Sequence, residues 1–428
     1  MIYSIFLWIL SLFSREVRYV WFGIDCQEGN SFCLISANFG LKNQSFTIQL
    51  DTSTTYTWIP STKFDFDVPK YDLKNSEKGI TTNKTVEIDD EDGIIYGKLS
   101  YDTFSKGNIT MENFSFVLAN KHDDDFKDYP YGKLGLGYAH DENDNFNFIQ
   151  KLKENKLIDK KIFLIDRISK KLIIGYVPVF LQETPKISFP LYSGDALDEI
   201  FSQSWACEID KIFCGVYEGS FISISFGQNG EVTIIEEKNI DYDVSKNAKA
   251  PAIFDIAYPY LLFPKKFYNY IKGNLIYKFL EGLCEEKKDF DSKYFICDKK
   301  NIFPDKNYLS FLIDSKMFFL KGSDIFKMRE DGKYELLIRF PRKKNFNTFI
   351  FGAPFLNNWI ISYDFDKEEV SLYGDNMADL SYSYLKFKVL NGIIQVIVTI
   401  IEIFIIYMIF ASFFFIYYIL KDSCCRSK

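Results

Sequence analysis

Apolar and polar residues alternate over short stretches through most of this chain. Runs of about 4–8 residues with a period of two are typical of half-buried β-strands. The clearest runs lie at residues 45–50, 161–165, 172–174, 220–226 and 360–365. Helical periodicity is found mainly at residues 147–155 and 265–280. We therefore predict a mostly β fold between residues 30 and 377.

The two ends of the chain are more apolar than the part between them. Residues 1–13 are apolar but short for a bilayer, so we predict a secretory signal sequence over residues 1–17. An uncleaved anchor is the alternative, because a basic segment and a small-residue cleavage site are missing. Residues 389–420 form a longer apolar run, which predicts a transmembrane helix because about 20 residues suffice.

The residues around the second apolar run predict its orientation. The tail at residues 421–428 carries basic residues, which favours the cytoplasmic side. With a juxtamembrane linker at residues 378–388, we expect a type I single-pass protein of the secretory pathway or cell surface. Its folded part would be lumenal or extracellular. Glu402 lies within the run and indicates an intramembrane partner or, alternatively, a tolerated protonated carboxyl group.

Composition and charge exclude several kinds of function. The 428 residues include 58 Asp and Glu against 51 Lys and Arg, for a formal net charge of −7. An evenly mixed, mildly acidic chain lacks the basic face on which nucleic-acid binding depends. The two histidines, His122 and His140, are too few for a histidine-rich metal centre. We expect no metal and no cofactor, and we assign any proton transfer to carboxylates.

Six cysteines fall into three locally spaced pairs, which predicts disulfides in an oxidising compartment. The predicted pairs are Cys26–Cys33, Cys207–Cys214 and Cys284–Cys297. Cross-pairing stays open at this point. Four Asn-x-Ser/Thr motifs predict glycosylation in the same compartment. They begin at Asn43, Asn83, Asn108 and Asn113.

The folded part carries a weak internal duplication. In the first half an apolar-biased run leads to Asp51, and Gly135 follows 84 residues later. In the second half an apolar run leads to Asp255, and Gly352 follows 97 residues later. Two β lobes, each with one aspartate at a strand end, would account for this repeat. Carboxylates at close range do not both ionise, so such a pair can divide the roles of acid and base, as aspartic protease dyads do.

Four segments carry a resemblance to a known family, at residues 46–61, 131–137, 351–358 and 363–373. In sequence, order and spacing they resemble the pepsin-like aspartic proteases of the A1 family. The resemblance implies two β-barrel-like lobes with a cleft between them, at residues 31–178 and 179–377. It also implies that peptides or unfolded proteins are the substrates, and we expect a monomer.

The same resemblance assigns roles to single residues. Asp51 and Asp255 occupy the two catalytic positions, and Thr52 matches the interlocking threonine beneath them. Thr54 takes the place of the hydroxyl that supports the first carboxylate. Trp58 matches the tryptophan that packs behind the flap, with a plain core residue as the alternative.

The second catalytic motif departs from the family pattern. Ile256 replaces the interlocking hydroxyl, Ala257 replaces the glycine, and Tyr258 replaces the supporting hydroxyl. In the first lobe Ser53 replaces glycine. Added Cβ atoms at these places push the carboxylates apart or require a different backbone path.

The flap is altered as well. Asp90 falls where the family has its flap tyrosine, within an acidic tip at residues 89–93. Tyr96 is the nearest substitute if the register shifts. An ordinary solvated hairpin is the alternative.

Three functions are compatible with this sequence. The leading hypothesis is a membrane-anchored aspartic endopeptidase that hydrolyses peptide bonds through Asp51, Asp255 and an activated water. The second is a catalytically impaired relative that binds peptide or protein in the cleft, because the second motif is altered. The third is a membrane-tethered adhesion protein, against which the two retained aspartates argue.

Overall fold

The computed structural model describes most of the chain between residues 17 and 378. The described residues are 17–26, 33–40, 44–90, 93–123, 132–138, 146–182, 184–192, 197, 201–209, 211–217, 224–226, 232–234, 242–243, 250–280, 283–289, 292–298, 302, 304–305, 307–314, 316–342, 347–374 and 377–378. The predicted signal sequence, apart from Val17, lies outside them. The predicted transmembrane helix with Glu402 and the basic tail lie outside them too.

The chain divides into two compact units. One contains residues 1–314 and 318–377, and therefore both aspartates of the repeat. The other contains residues 315–317 and 378–428. No helix of the described part has both the length and the apolar character needed to cross a bilayer. The type I topology therefore stays a prediction.

Strands predominate in the described part, as predicted. The strands of the first half are β1 (Val20–Gly23), β2 (Asp25–Cys26), β3 (Cys33–Phe39), β4 (Gln44–Asp51), β5 (Trp58–Pro60), β6 (Ile80–Asp90), β7 (Gly93–Lys106), β8 (Ile109–His122), β9 (Gly132–Gly135), β10 (Ile162–Asp166) and β11 (Lys171–Ile174). Those of the second half are β12 (Lys186–Pro190), β13 (Ala206–Ile209), β14 (Lys211–Tyr217), β15 (Ile224–Phe226), β16 (Val232–Ile234), β17 (Tyr242–Asp243), β18 (Ala250–Phe254), β19 (Leu261–Leu262), β20 (Cys284–Lys288), β21 (Ser292–Cys297), β22 (Asn307–Ile313), β23 (Lys316–Lys321), β24 (Phe326–Met328), β25 (Tyr334–Pro341), β26 (Phe349–Phe351), β27 (Ile360–Asp364), β28 (Glu369–Tyr373) and β29 (Met377–Ala378).

The helices that the structure describes are short. The α-helices are α1 (Phe148–Glu154), α2 (Val179–Gln182), α3 (Tyr268–Ile271), α4 (Gly322–Ile325) and α5 (Ala353–Leu356). Helices of the 3₁₀ type lie at Leu73–Asn75 and Lys265–Phe267, and a π-helix lies at Lys272–Phe279. Both predicted helical segments are confirmed. In the first, the side chain of Asn147 caps α1 by accepting the N–H of Gln150.

The first half forms an eight-stranded sheet in the order β2-β3-β4-β9-β5-β8-β7-β6. β4 ends at Asp51 and runs parallel to β9, and their register places Asp51 opposite Gly135. β5 pairs with β9 on one side and with β8 on the other. The first aspartate therefore lies at the end of a central, buried strand.

The second half repeats this arrangement in the order β13-β18-β26-β19-β25-β21-β20, with β24 added beside β25. β18 runs parallel to β26, with Phe254 opposite Phe351 at their ends. Asp255 and Gly352 are therefore the residues that directly follow the two strands. β19 pairs with β26 and β25 as β5 pairs with β9 and β8. The topology thus contains the duplication that the two aspartates and two glycines predict.

Gly135 and Gly352 let two stretches of backbone pass each other closely after each aspartate. A Cβ atom at Gly135 would lie 2.4 Å from the carbonyl oxygen of Thr55. A Cβ atom at Gly352 would lie 2.2 Å from the carbonyl oxygen of Tyr260. Both distances are far below van der Waals contact, so these positions require glycine.

A six-stranded sheet joins the two halves in the order β1-β11-β10-β27-β28-β12. The indole ring of Trp205 packs between the halves, with its centroid 5.9 Å from that of Phe163 in β10 and 5.2 Å from that of Tyr363 in β27. Asp51 and Asp255 are therefore carried by one continuous apolar scaffold.

Two of the three predicted disulfides are confirmed. Cys26–Cys33 links β2 to β3, and Cys284–Cys297 links β20 to β21. Cys207 is buried in β13, and the side chain of Cys214 lies outside the described part. Their pairing stays a prediction.

Three of the four predicted glycosylation sites are accessible. Asn83, Asn108 and Asn113 are exposed, as attachment of a glycan requires. Asn43 lies outside the described residues. Glycosylation itself stays a prediction.

Candidate functional site

Asp51 presents a fully buried carboxylate at the end of β4. Its Oδ1 atom accepts a hydrogen bond from the backbone N–H of Ser53 at 2.8 Å and another from Ser53 Oγ at 2.6 Å. An aspartate at a turn commonly accepts the N–H two residues ahead, so Asp-Thr-Ser supplies these donors locally. They fix the orientation of the carboxylate.

Asp255 occupies the equivalent place in the second half and is also fully buried. Its Oδ1 atom accepts the backbone N–H of Ala257 at 2.8 Å, and its own N–H donates to the carbonyl of Phe351 at 3.2 Å. The N–H two residues ahead thus orients the carboxylate in both halves. The extra Cβ of Ala257 leaves this contact in place.

Thr52 links the two aspartate loops. Its Oγ1 atom donates to the carbonyl oxygen of Phe254 at 2.8 Å and accepts the N–H of Ile256 at 3.1 Å. The same atom lies 3.5 Å from Asp255 Oδ1. Thr52 adjoins Asp51 in sequence and contacts Asp255, so it connects the two aspartate loops directly.

The reverse half of this interlock is absent because Ile256 has no hydroxyl group. Ile256 is fully buried and belongs to the main hydrophobic core. One side of the interlock therefore consists of hydrogen bonds, and the other consists of apolar packing.

Lys133, in the middle of β9, contributes a cation to the same site. Its Nζ atom lies 2.8 Å from Asp51 Oδ2, and the side chains of Lys133 and Asp51 are 1% and 0% exposed. Lysine is rarely buried unless it is paired. The site thus contains a buried ion pair in addition to the second carboxyl group.

A segment just before β13 supports the first aspartate loop from the second half. Gln203 Oε1 accepts both the backbone N–H of Thr55, at 3.2 Å, and its hydroxyl, at 2.8 Å. Ser204 Oγ donates to the carbonyl oxygen of Ser53 at 2.8 Å. These contacts tie the loop that carries Asp51 to the opposite half.

Other titratable groups near the site keep one charge state in the acidic range. Burial raises the pKa of the Tyr363 phenol, and the nearby Asp255 raises it further. Burial lowers the pKa of Arg167 to about 10, which leaves the guanidinium charged below neutral pH. Within the described residues, no group of three or more His, Cys, Asp or Glu side chains is arranged to hold a metal ion.

Comparison with known proteins agrees with this geometry. Residues 34–177 match the family model for eukaryotic aspartyl proteases. These residues are therefore similar to the pepsin-like aspartic proteases. Procardosin-B of Cynara cardunculus is 31% identical to it over 106 residues, which cover 23% of this chain and 21% of procardosin-B. The chain therefore spans about a fifth of that relative's length.

A hydroxyl group supports Asp51 from Ser53, whose Oγ atom donates to the carboxylate. The resemblance gave such a role to Thr54, whose Oγ1 atom accepts the N–H of Tyr56 at 3.1 Å. The role of Thr54 at Asp51 stays a prediction.

The two interpretations of Trp58 are both compatible with its surroundings. Trp58 is fully buried, and it packs in one apolar cluster with residues of the β6–β7 hairpin, where the resemblance places the flap. These residues are Val86, Ile88, Ile95 and Leu99. The indole is therefore a core residue of the first lobe and lies against this hairpin.

The tip of the β6–β7 hairpin lies between Asp90 and Gly93, which pair with each other. Residues 91–92 and the side chain of Asp90 lie outside the described part, so the role of Asp90 stays a prediction. Tyr96 lies beneath the Lys121 ammonium, 4.7 Å from ring centroid to Nζ.

Tyr258 occupies the place that the family gives to the second supporting hydroxyl. It is 4% exposed and packs in an apolar cluster with Phe201, Leu262 and Ile350. The aromatic ring therefore has a packing role that a threonine there would not fulfil.

Sequence reasoning missed Lys133 altogether. A signal was available, because a lysine between Gly132 and Leu134 interrupts an apolar strand that resembles a buried strand of the protease family. A buried strand with one charged residue predicts a buried partner for that charge.

Thr52→Val is expected to lower the free energy of unfolding by about 1–3 kcal/mol, because it removes the hydroxyl donor to the carbonyl of Phe254 and leaves the N–H of Ile256 unsatisfied. Equilibrium unfolding in urea measures this loss. Thr54→Val is the matched control, because its hydroxyl accepts one N–H and bridges no loops. Equal losses in the two variants would contradict a special role for the interlock.

Proposed function

We propose that this protein is an aspartic endopeptidase that uses Asp51 and Asp255 as its catalytic pair. The proposal is supported above all by Thr52, whose hydroxyl links the two aspartate loops. Full burial of both carboxylates and the equal orientation of their Oδ1 atoms agree with it. The match of residues 34–177 to the protease family gives the reaction class.

The chemistry needs one proton on the pair of carboxyl groups. The ionised carboxylate takes a proton from water as the water oxygen attacks the scissile carbonyl carbon, and the other carboxyl group gives its proton to the carbonyl oxygen. In the second step the carboxyl group that took the proton from water gives it to the leaving nitrogen as the C–N bond breaks, and the other carboxylate takes a hydroxyl proton from the tetrahedral intermediate, which restores the starting pair. Water is the co-reactant, so neither a metal nor a cofactor enters the balance.

We propose extended peptides or unfolded proteins as substrates and a lumenal or extracellular site of action. Two disulfides fit an oxidising compartment. The apolar runs at residues 1–13 and 389–420 support entry into the secretory pathway and anchoring in its membrane.

The direct test is cleavage of an unfolded protein by the purified full chain across pH 3 to 7. A peptide that carries a non-hydrolysable hydroxyl group in place of the scissile carbonyl should bind tightly and block cleavage. Absence of both cleavage and binding at every pH would exclude the proposed function.

A second candidate function is peptide binding without hydrolysis. It is favoured by Ile256, which removes one of the two hydroxyl groups of the interlock, and by the ring at Tyr258. In this case the hydroxyl-bearing peptide would bind while cleavage stayed absent.

Ile256→Thr separates the two candidates. If the parent chain is an enzyme, we expect the added hydroxyl to change kcat by less than about tenfold, since one added neutral hydrogen bond is worth about 1 kcal/mol. Cleavage that arises only in the variant would support the binding candidate. Ile256→Val removes a methyl group without adding a hydroxyl and is the matched control.

A further inference from the structure

The ion pair between Lys133 and Asp51 has no role in the reaction steps proposed above. The ammonium lies on Oδ2 of Asp51, whereas both donors from Ser53 lie on Oδ1. The hydrogen bonds therefore lie on one oxygen of the carboxylate and the ion pair lies on the other. Both side chains are almost completely excluded from solvent, so water screens this pair very little.

The internal repeat indicates that folding does not require a lysine at this place. Lys133 lies two residues before Gly135, and Ile350 lies two residues before Gly352 in the equivalent strand of the second half. Ile350 is fully buried and packs against Tyr258 and Leu262. The same strand position holds an apolar residue in the second half. The fold alone therefore does not explain why the first half has a lysine there.

A cation at this position changes the charge balance of the catalytic pair. Two carboxyl groups that share one proton carry one negative charge, and the Lys133 ammonium brings the sum to zero. A nearby positive charge favours the ionised form of a carboxyl group. The ionised form is then favoured at Asp51, the carboxyl group that the ammonium contacts.

We propose that Lys133 is a positioning residue that keeps Asp51 ionised, so that Asp51 activates the water and Asp255 carries the proton. This inference rests on the proposed endopeptidase function. It further implies that Lys133 sets the pH range of hydrolysis.

Two titratable groups that the structure describes near the pair do not change charge in this range. Tyr363 approaches from β27, where burial and Asp255 raise its pKa, and it stays neutral. Arg167 follows β10 and stays charged, although burial lowers its pKa to about 10. Ser53 and Thr52 contribute neutral hydroxyl groups. Movement of the acidic pH profile therefore reports on Asp51 and Asp255.

The test is the pH profile of kcat for the full chain and for Lys133→Met, which keeps the length of the side chain and removes its charge. We expect both limbs of the profile to move to higher pH by about one unit or more in the variant. Lys78→Met is the matched control, because it removes an exposed lysine that pairs with Glu112, and its profile should coincide with that of the parent. Binding of the hydroxyl-bearing peptide across pH gives a second readout that needs no turnover.

The outcomes separate this inference from the proposed function. A parent chain that neither cleaves nor binds at any pH removes the proposed function itself. An active parent whose profile is unchanged in a folded Lys133→Met overturns only the inference. A rise in the activity of Lys133→Met at every pH, without a shift of the profile, also overturns the inference. Lys133 would then obstruct the site in the parent chain. If Lys133→Met does not fold, Lys133→Gln takes its place, and failure of both would make Lys133 a structural residue.

Discussion

Asp51→Asn and Asp255→Asn are each expected to lower kcat for peptide cleavage by at least about a hundredfold. Positioned proton transfer contributes roughly 10²- to 10⁴-fold to catalysis, and an amide neither takes up nor gives a proton in this pH range. Both carboxylates are buried and held from the backbone of their own loops, so no neighbouring acid takes their place without rearrangement. Initial rates on an unfolded protein substrate at the optimal pH of the parent measure the effect.

The two asparagine variants should differ in stability although they agree in activity. Asp51→Asn removes the charge that faces the buried Lys133 ammonium, and loss of one partner of a buried ion pair costs about 3–5 kcal/mol. Asp364→Asn is the control for replacing a buried aspartate outside the proposed catalytic pair. Asp364 lies at the end of β27, and its carboxylate accepts N–H groups of its own turn. Full turnover in either Asp51→Asn or Asp255→Asn would refute the assignment of the catalytic pair.

Gly352→Ala is expected to remove most activity and to destabilise the fold by about 1–3 kcal/mol or more. The added Cβ would lie 2.2 Å from the carbonyl oxygen of Tyr260 and 2.3 Å from that of Tyr258, and neither backbone atom can rotate away. The loop that carries Asp255 must therefore move. Thermal unfolding and the cleavage assay together measure the two effects.

Gly273→Ala is the matched control for this substitution. Gly273 lies in the π-helix, and a Cβ there would meet nothing within 4 Å. Alanine in an accessible helical position should leave stability unchanged or raise it by about 0.4–1 kcal/mol. If Gly352→Ala were as stable and active as Gly273→Ala, the close backbone contact at Gly352 would not be required for stability or activity.

Much of the fold could be predicted because its signals are local. The run at residues 45–50 alternates as a strand does, and β4 lies there. The close spacing of Cys26 with Cys33 and of Cys284 with Cys297 matches antiparallel neighbours, where directly opposite cysteines can bond. The repeat of aspartate and glycine predicted two β lobes with one aspartate at a strand end in each, and the parallel pairs β4–β9 and β18–β26 carry these residues.

The composition of the site was harder to predict because it depends on side chains that meet across strands. The contact between Lys133 and Asp51 joins two strands that are far apart in the sequence, and no periodicity reports it. The exchange of roles between Ser53 and Thr54 depends on how one turn directs adjacent hydroxyl groups. A motif gives the residue types in a turn but not the directions of their side chains.

The six-stranded sheet also has a consequence for biosynthesis. β10 belongs to the first half, yet its partner β27 lies at Ile360–Asp364, close to the last residues of the folded part. During translation the edge of β10 therefore lacks its partner strand β27 until almost all of the folded part has been made. Exposed strand edges are sites of aggregation, and pairings between distant segments form slowly. The first lobe is therefore expected to be most prone to aggregation while β27 has not yet been made.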